Sequence, residues 1–234
     1  VQWVELDPAR EALEQFKERM APQALYMDLG QAPLVRLQVA ADPHSERWLV
    51  LLQLHHIVSD HLSLEVLISE VFAHLAGDAQ QLPAPIAYRG FVAQALARAK
   101  DNDDEAFFRS RLADIEEPTL PFGLLDVHGD GSRIEEVRRR LEPALAKRVR
   151  SMARSLGVGS AVLFHVAWAM VLARTSGRDA VVFGSVLSGR LQGGAGADRV
   201  VGMFINTLPL RLSLGDKSVG QMVRYAHQEI VELL

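Results

Sequence analysis

The sequence predicts two lobes of α/β (α+β) build, each a mixed sheet covered by helices, facing each other across a cleft. Three observations predict this. Strand-period and helix-period segments alternate in the first half, and the same alternation restarts in the second. Between them residues 116–132 hold two prolines and three glycines with little periodicity, as an interlobe linker does. At 234 residues and 49% apolar composition, the chain is long enough to bury a substantial core. The boundary is placed at 120/121. It leaves an N-terminal lobe 1–120, incomplete at its start, and a C-terminal lobe 121–234, incomplete at its end.

Each element has a stated cause. A helix is read over 7–20, with Asp7 as N-cap, Pro8 at the first helical position and Ala12, Leu13, Phe16 and Met20 on one face. Residues 34–40 alternate as a strand, Arg36 lying off one face, and 48–54 pair with it as a hairpin across a polar turn. Residues 62–76 have helical apolar spacing, closed by Gly77, and this helix is expected to pack on the sheet. Beyond the proline-rich 82–85, a helical stretch runs from 86 to about 112, with a possible break at 101–104. In the second half, 134–141 is a weak strand, 143–156 a helix opened by Pro143 and followed by Gly157, and 160–176 an apolar helix closed by Gly177. Residues 180–187 and 208–214 are strands, and the last helix starts near Ser218.

Composition narrows the function classes. A formal charge of −4 gives no basic footprint for nucleic acid or anionic membrane. Cysteine is absent, which excludes disulfides, thiolate nucleophiles and Cys-ligated zinc within the chain. Apolar runs are too short for a membrane span and the first residues do not read as a signal peptide, so a cytoplasmic location is expected.

The most informative pattern is His55-His56 followed by Asp60. The strand 48–54 delivers both imidazoles to a break before a helix, and rigid placement at such a point suits a general base. Adjacent histidines on an extended strand diverge, so one can line a cavity while the other braces the core. Asp60 can orient an imidazole or pair with Arg36; the ion pair, shaping the loop, is favoured. No further histidine or glutamate follows at helical spacing, so a metal site ranks low.

His55-His56-Ile57-Val58-Ser59-Asp60 resembles the HHxxxDG motif of nonribosomal peptide synthetase condensation domains, members of the chloramphenicol acetyltransferase-like superfamily. Phe183 to Arg190, ending in Ser188-Gly189-Arg190, resembles their strand and SGR turn. Val201-Gly202-Met203-Phe204-Ile205-Asn206-Thr207-Leu208-Pro209-Leu210-Arg211 is similar to their GxFxNTxPLR motif. With Pro33 to Arg36, the resemblance covers most of residues 30–234. It implies two acyltransferase-like lobes around a tunnel, with no bound cofactor. The substrates arrive tethered through phosphopantetheine on donor and acceptor peptidyl carrier protein domains, next to an adenylation domain. The resemblance assigns His56 to deprotonating or positioning the acceptor amine and Asn206 to the reacting centre. His55, Asp60 and Arg36 are structural at the site, and Ser188, Gly202 and His61 lie along the substrate channel.

His61 replaces the glycine of the family pattern. It narrows the donor side, adds a titrating group, or points outward. Tyr88-Arg89-Gly90-Phe91 and His165 are read as helix packing, 135–140 as a solvated edge with a capacity to dock an acidic carrier domain, and 193–196 as a flexible loop. The implied reaction is amide formation between a carrier-bound thioester and a carrier-bound amine. Alternatives are a coenzyme A-dependent acyltransferase, an epimerisation domain, and a non-catalytic carrier-docking lobe.

Overall fold

The computed structural model describes residues 1–21, 25–124, 137–192 and 194–234. By its contacts the chain groups into two compact units, Val1–Ala95 with Arg190–Ile205, and Leu96–Gly189 with Asn206–Leu234. The lobes 1–120 and 121–234 stay a proposal; the contact grouping returns 190–205 to the first unit.

In the first unit, β2 (Val35–Ala41) and β3 (Trp48–Leu54) form the expected antiparallel hairpin, with Val35 opposite Leu54 and Ala41 opposite Trp48. The turn closes because Asp42 accepts hydrogen bonds from the His44 amide and the Ser45 hydroxyl. A two-residue strand that the periodicity did not show, β1 (Gln2–Trp3), adds to β2 in parallel. The first helix is shorter than expected: α1 runs Ala12–Glu18. Asp7 spends its side chain on the Ala9 amide and its carbonyl on the Arg10 amide, so it closes a turn and does not cap the helix.

Ala12 and Phe16 of α1 are buried, as is Ala40 of β2, whereas Trp48, Val50 and Leu52 leave the other sheet face open. The next helix, α2 (His61–Ala76), ends at Gly77 in the left-handed region, φ 82°. Ser63 alone is fully buried along it; Leu62, Leu64, Val66 and Leu67 are half-buried, while Val71, Phe72 and Leu75 are exposed. The expected packing on the sheet stays a proposal. The helix α3 (Tyr88–Asp101) begins in this unit and ends in the second.

The second unit continues with α4 (Asp104–Leu112). Asp103 accepts from the Ala106 amide, which explains the break expected at 101–104. Then come α5 (Pro143–Ser155), α6 (Ser160–Ser176), β4 (Ala180–Ser188), β5 (Ile205–Ser213) and α7 (Val219–Glu232). Val162, Val166, Ala169 and Leu172 recur at helical spacing on α6 and close on Val181, Leu210, Leu212 and the inner face of α7. Each fully buried Val or Leu there contributes roughly 1.5–3 kcal/mol relative to exposure. Ser218 and Gln221 form a reciprocal capping box on α7.

Part of the expected linker, Glu135, Glu136 and the start of the expected strand 134–141 lie outside the described residues, as does Gly193; residues 137–141 carry no regular structure. Among the described residues no single helix is long and apolar enough to cross a membrane.

Candidate active site

Strand β3 ends at Leu54, and the histidine pair follows in a turn. The His55 amide donates to the Leu34 carbonyl at 3.0 Å, extending the hairpin by one rung, and the Val58 amide donates to the His55 carbonyl at 3.1 Å. His55 Nδ1 accepts from the Ile57 amide at 3.1 Å, so its imidazole braces the turn.

His56 is arranged differently. Its Nδ1 lies 2.8 Å from the Ser59 carbonyl oxygen, which only accepts, so Nδ1 carries the proton. In the neutral ring Nε2 then holds the lone pair. The residue is exposed, and among the described residues nothing hydrogen-bonds Nε2.

Asp60 caps α2. Its Oδ1 accepts from the Ser63 amide at 2.8 Å and from Arg190 Nη2 at 2.6 Å, while Oδ2 accepts from Arg190 Nε at 2.9 Å. The bidentate pair is almost fully buried, Arg190 at 8% and Asp60 at 4% side-chain exposure. Burial drives the Asp60 pKa upward, but the bonds from Arg190 and Ser63 outweigh it and hold the carboxyl at about 2.

Arg190 uses its whole guanidinium: Nη1 donates to the Ala197 and Val200 carbonyls, Nη2 also reaches Ser63 Oγ at 3.0 Å, and the group stacks 4.0 Å from the Phe204 ring centroid. Ser63 Oγ is 2.8 Å from both Asp60 Oδ1 and the Gly202 carbonyl and accepts from the Gly202 amide at 2.9 Å; its single proton goes to one of the two acceptors. The Asp60 amide donates to the Gly202 carbonyl as well.

The favoured partner of Asp60 is therefore corrected. Arg36 is exposed, donates to the Tyr26 carbonyl at 3.0 Å and stands across the hairpin from Gln53. Gly202, expected along the channel, is buried, and a Cβ there would sit 2.2 Å from the Tyr88 ring. Tyr88 donates its hydroxyl to the Met203 carbonyl and joins Phe91 and Phe204 in an aromatic cluster. Its reading as helix packing agrees with this.

His61 is the first residue of α2, so this position asks for no glycine-only backbone; its ring is 80% exposed and lies 3.1 Å from Glu65. Ser188 is exposed at the end of β4. Asn206 is exposed at the start of β5, its Oδ1 accepting from the Thr207 amide at 2.9 Å, on a concavity of about 550 Å³ shared with Asn102, Phe107 and Leu208. His165 bridges the Ala161 carbonyl and buried Ser185, consistent with a structural role. Among the described residues no group of three or more His, Asp or Glu could hold a metal ion.

The sequence model of the Condensation domain family matches residues 2–234. Malpinin synthetase of Mortierella alpina is 44% identical over 95% of this chain and 3% of its own length, and malpibaldin synthetase of the same organism 43% over 99% and 4%. A linear gramicidin synthase of Brevibacillus parabrevis is 32% identical over 86% of this chain and 4% of its own length. The chain thus spans a few per cent of these curated relatives. Among solved structures, the first condensation domain of the CDA synthetase superposes with a TM-score of 0.71 at 24% identity, over 99% of this chain and 53% of that one. The epimerization domain from the third module of tyrocidine synthetase B superposes at 0.78 with 17% identity, over 99% and 55%. These two likenesses show the fold.

Proposed function

This chain belongs to the condensation-domain family, and from that premise we propose that it forms an amide between a carrier-bound acyl or peptidyl thioester and a carrier-bound amine. The supporting observation is the outward Nε2 of His56, its opposite nitrogen fixed by Ser59. In this reading the amine attacks the thioester carbonyl as Nε2 takes its proton. Collapse of the tetrahedral intermediate breaks the C–S bond, and the thiolate leaves to be reprotonated. A single base adds about 10²–10⁴-fold, and orientation of the two tethered substrates supplies much of the rest. No enzyme nucleophile is needed.

Asn206 is assigned to the oxyanion or the substrate amide; its NH₂ group makes no bond among the described residues. His55, Asp60 and Ser63 set the geometry around His56. Ser188 and His61 are proposed to line the substrate path, and the partners are donor and acceptor carrier domains and an adenylation domain. The thiol of each substrate is the end of a phosphopantetheine arm.

The test uses the intact polypeptide that carries this chain, with both substrates loaded on their carriers. His56→Ala is expected to lose at least about 100-fold in amide formation with unchanged folding; near-native turnover overturns the general-base role. A second reading, drawn from the resemblance of the histidine motif to that of epimerisation domains, is transfer of an α-proton. Chiral analysis of a loaded donor, with and without acceptor, separates the two, and a coenzyme A thioester donor with a hydroxyl acceptor tests the third.

A further inference from the structure

The outer face of α5 has no part in the chemistry above, yet its charges are all of one sign. Lys147, Arg148, Arg150 and Arg154 are all exposed, and the helix PALAKRVRSMARS contains no acidic residue. Lys147, Arg150 and Arg154 fall at i, i+3 and i+7, a single stripe along two turns. Such like-charge neighbours oppose helix formation. A merely solvated helix interleaves acids, as α1 does with Glu14 and Lys17 and α4 with Glu105 and Arg109.

Among the described residues none of the four cations makes an ion pair, whereas Arg111, Arg178 and Arg211 of the same unit all do. The face is rigidly presented: Ala153 is buried, Ala146 and Val149 are half-buried, and α5 packs on α6. Leu145 and Met152 are exposed one above the other at i and i+7, on the far flank of the helix from Lys147, Arg150 and Arg154. A stripe of like charge with no acid interleaved on an outward helix face suits the electrostatic docking of a partner of opposite charge.

We propose that this face docks an acidic protein surface, and that the protein is one of the two carrier domains. The choice of a carrier rests on the function proposed above; the acidity of the partner rests on the stripe. Nucleic acid is disfavoured by the net charge of −4 and by the lack of an aromatic side chain on α5 for bases to stack on. A membrane is disfavoured because the more apolar side of α5 faces α6, leaving only Leu145 and Met152 to insert.

The experiment reverses the stripe in the intact polypeptide with Lys147→Glu, Arg148→Glu, Arg150→Glu and Arg154→Glu. A second variant carries glutamine at the same four positions in case reversal impairs folding. Amide formation is measured with the donor on its carrier and a soluble acceptor, then the converse, and with both partners as soluble N-acetylcysteamine thioesters. The expected result is a KM for one carrier-bound substrate raised roughly tenfold or more, a native value approaching it at high salt, and unchanged turnover of the fully soluble pair.

Equal KM values for native and variant protein in both carrier arms overturn the proposal, as does charge-dependent binding to phosphatidylglycerol vesicles or a DNA duplex with no change in either arm. If no arm yields amide even with the native protein, the function proposed above fails. Docking is then read from the affinity of the isolated carrier domains for native and reversed protein, where equal affinity overturns it.

Discussion

Removing the Arg190 guanidinium should unfasten the start of α2. Asp60 is held at a pKa of about 2 against an ordinary 3.8. At about 1.36 kcal/mol per pH unit, that depression is worth about 2 kcal/mol of stability. The folded pKa lies below the unfolded one, so this contribution is complete above about pH 4 and is lost as the pH falls from there towards 2. Arg190→Met deletes both bonds to the carboxylate while leaving Asp60 buried, and it abandons the Ala197 and Val200 carbonyls. Breaking a buried pair from one side costs about 3–5 kcal/mol. Urea titration followed by tryptophan fluorescence, with Trp3 and Trp48 in the same unit, measures it. Titrations between about pH 7 and 2 should show a weaker acid slope in the variant. Asp42, held low by Ser45, and Asp114, held low by Arg211, titrate alike in both proteins, so the difference isolates Asp60. Asp60→Asn with Arg190→Met should cost less than the sum of the single changes. A loss under about 1 kcal/mol, strict additivity or an unchanged slope would refute this account of the pair.

Gly202→Ala pushes a methyl group into the Tyr88 ring and should destabilise the chain by about 1–3 kcal/mol in the same titration. Added to Tyr88→Ala, which empties that space, it should cost little more; an equal penalty in both backgrounds counts against the contact. His61→Gly loses only an exposed pair with Glu65 and should change stability by less than about 1 kcal/mol. If His61 lines the donor side, the same variant shifts relative rates across a panel of donor thioesters; unchanged ratios dismiss that role.

Much of the backbone was legible because proline and glycine punctuate it. Pro143 opens α5, and Gly77 and Gly177 close α2 and α6 with positive φ. The HHxxxD turn was legible as a place but not as a network. Arg190 lies 130 residues from Asp60, whereas Arg36 is on the strand next to the histidines, so nearness along the sheet favoured the wrong cation. The Ser-Gly-Arg motif carries a family resemblance, yet nothing in one sequence says that its arginine returns to the aspartate. Ser63 was equally invisible: three residues beyond an N-cap, a serine reads as ordinary helix surface. Here its side chain meets the Gly202 backbone, 139 residues away. Asp7-Pro8 gave a false helix start because a turn at Asp7 satisfies the same amides that a cap would.

The bonds that do not touch His56 explain how it can be exposed and still well placed. The turn from His55 to Ser59 is fixed at one end by the Leu34 carbonyl and at the other by the Asp60 amide on Gly202. An imidazole on a loop gains reach but loses precision unless both ends of the loop are anchored. Asp60 therefore bears on His56 without a hydrogen bond to its ring: its charge is spent on Arg190 and its cap on α2, and what reaches His56 is position. That separation has a chemical merit. The neutral Ser59 carbonyl fixes the tautomer without placing a negative charge beside the ring. In this chain, then, Asp60 is better understood as the foot of the turn than as the third member of a triad.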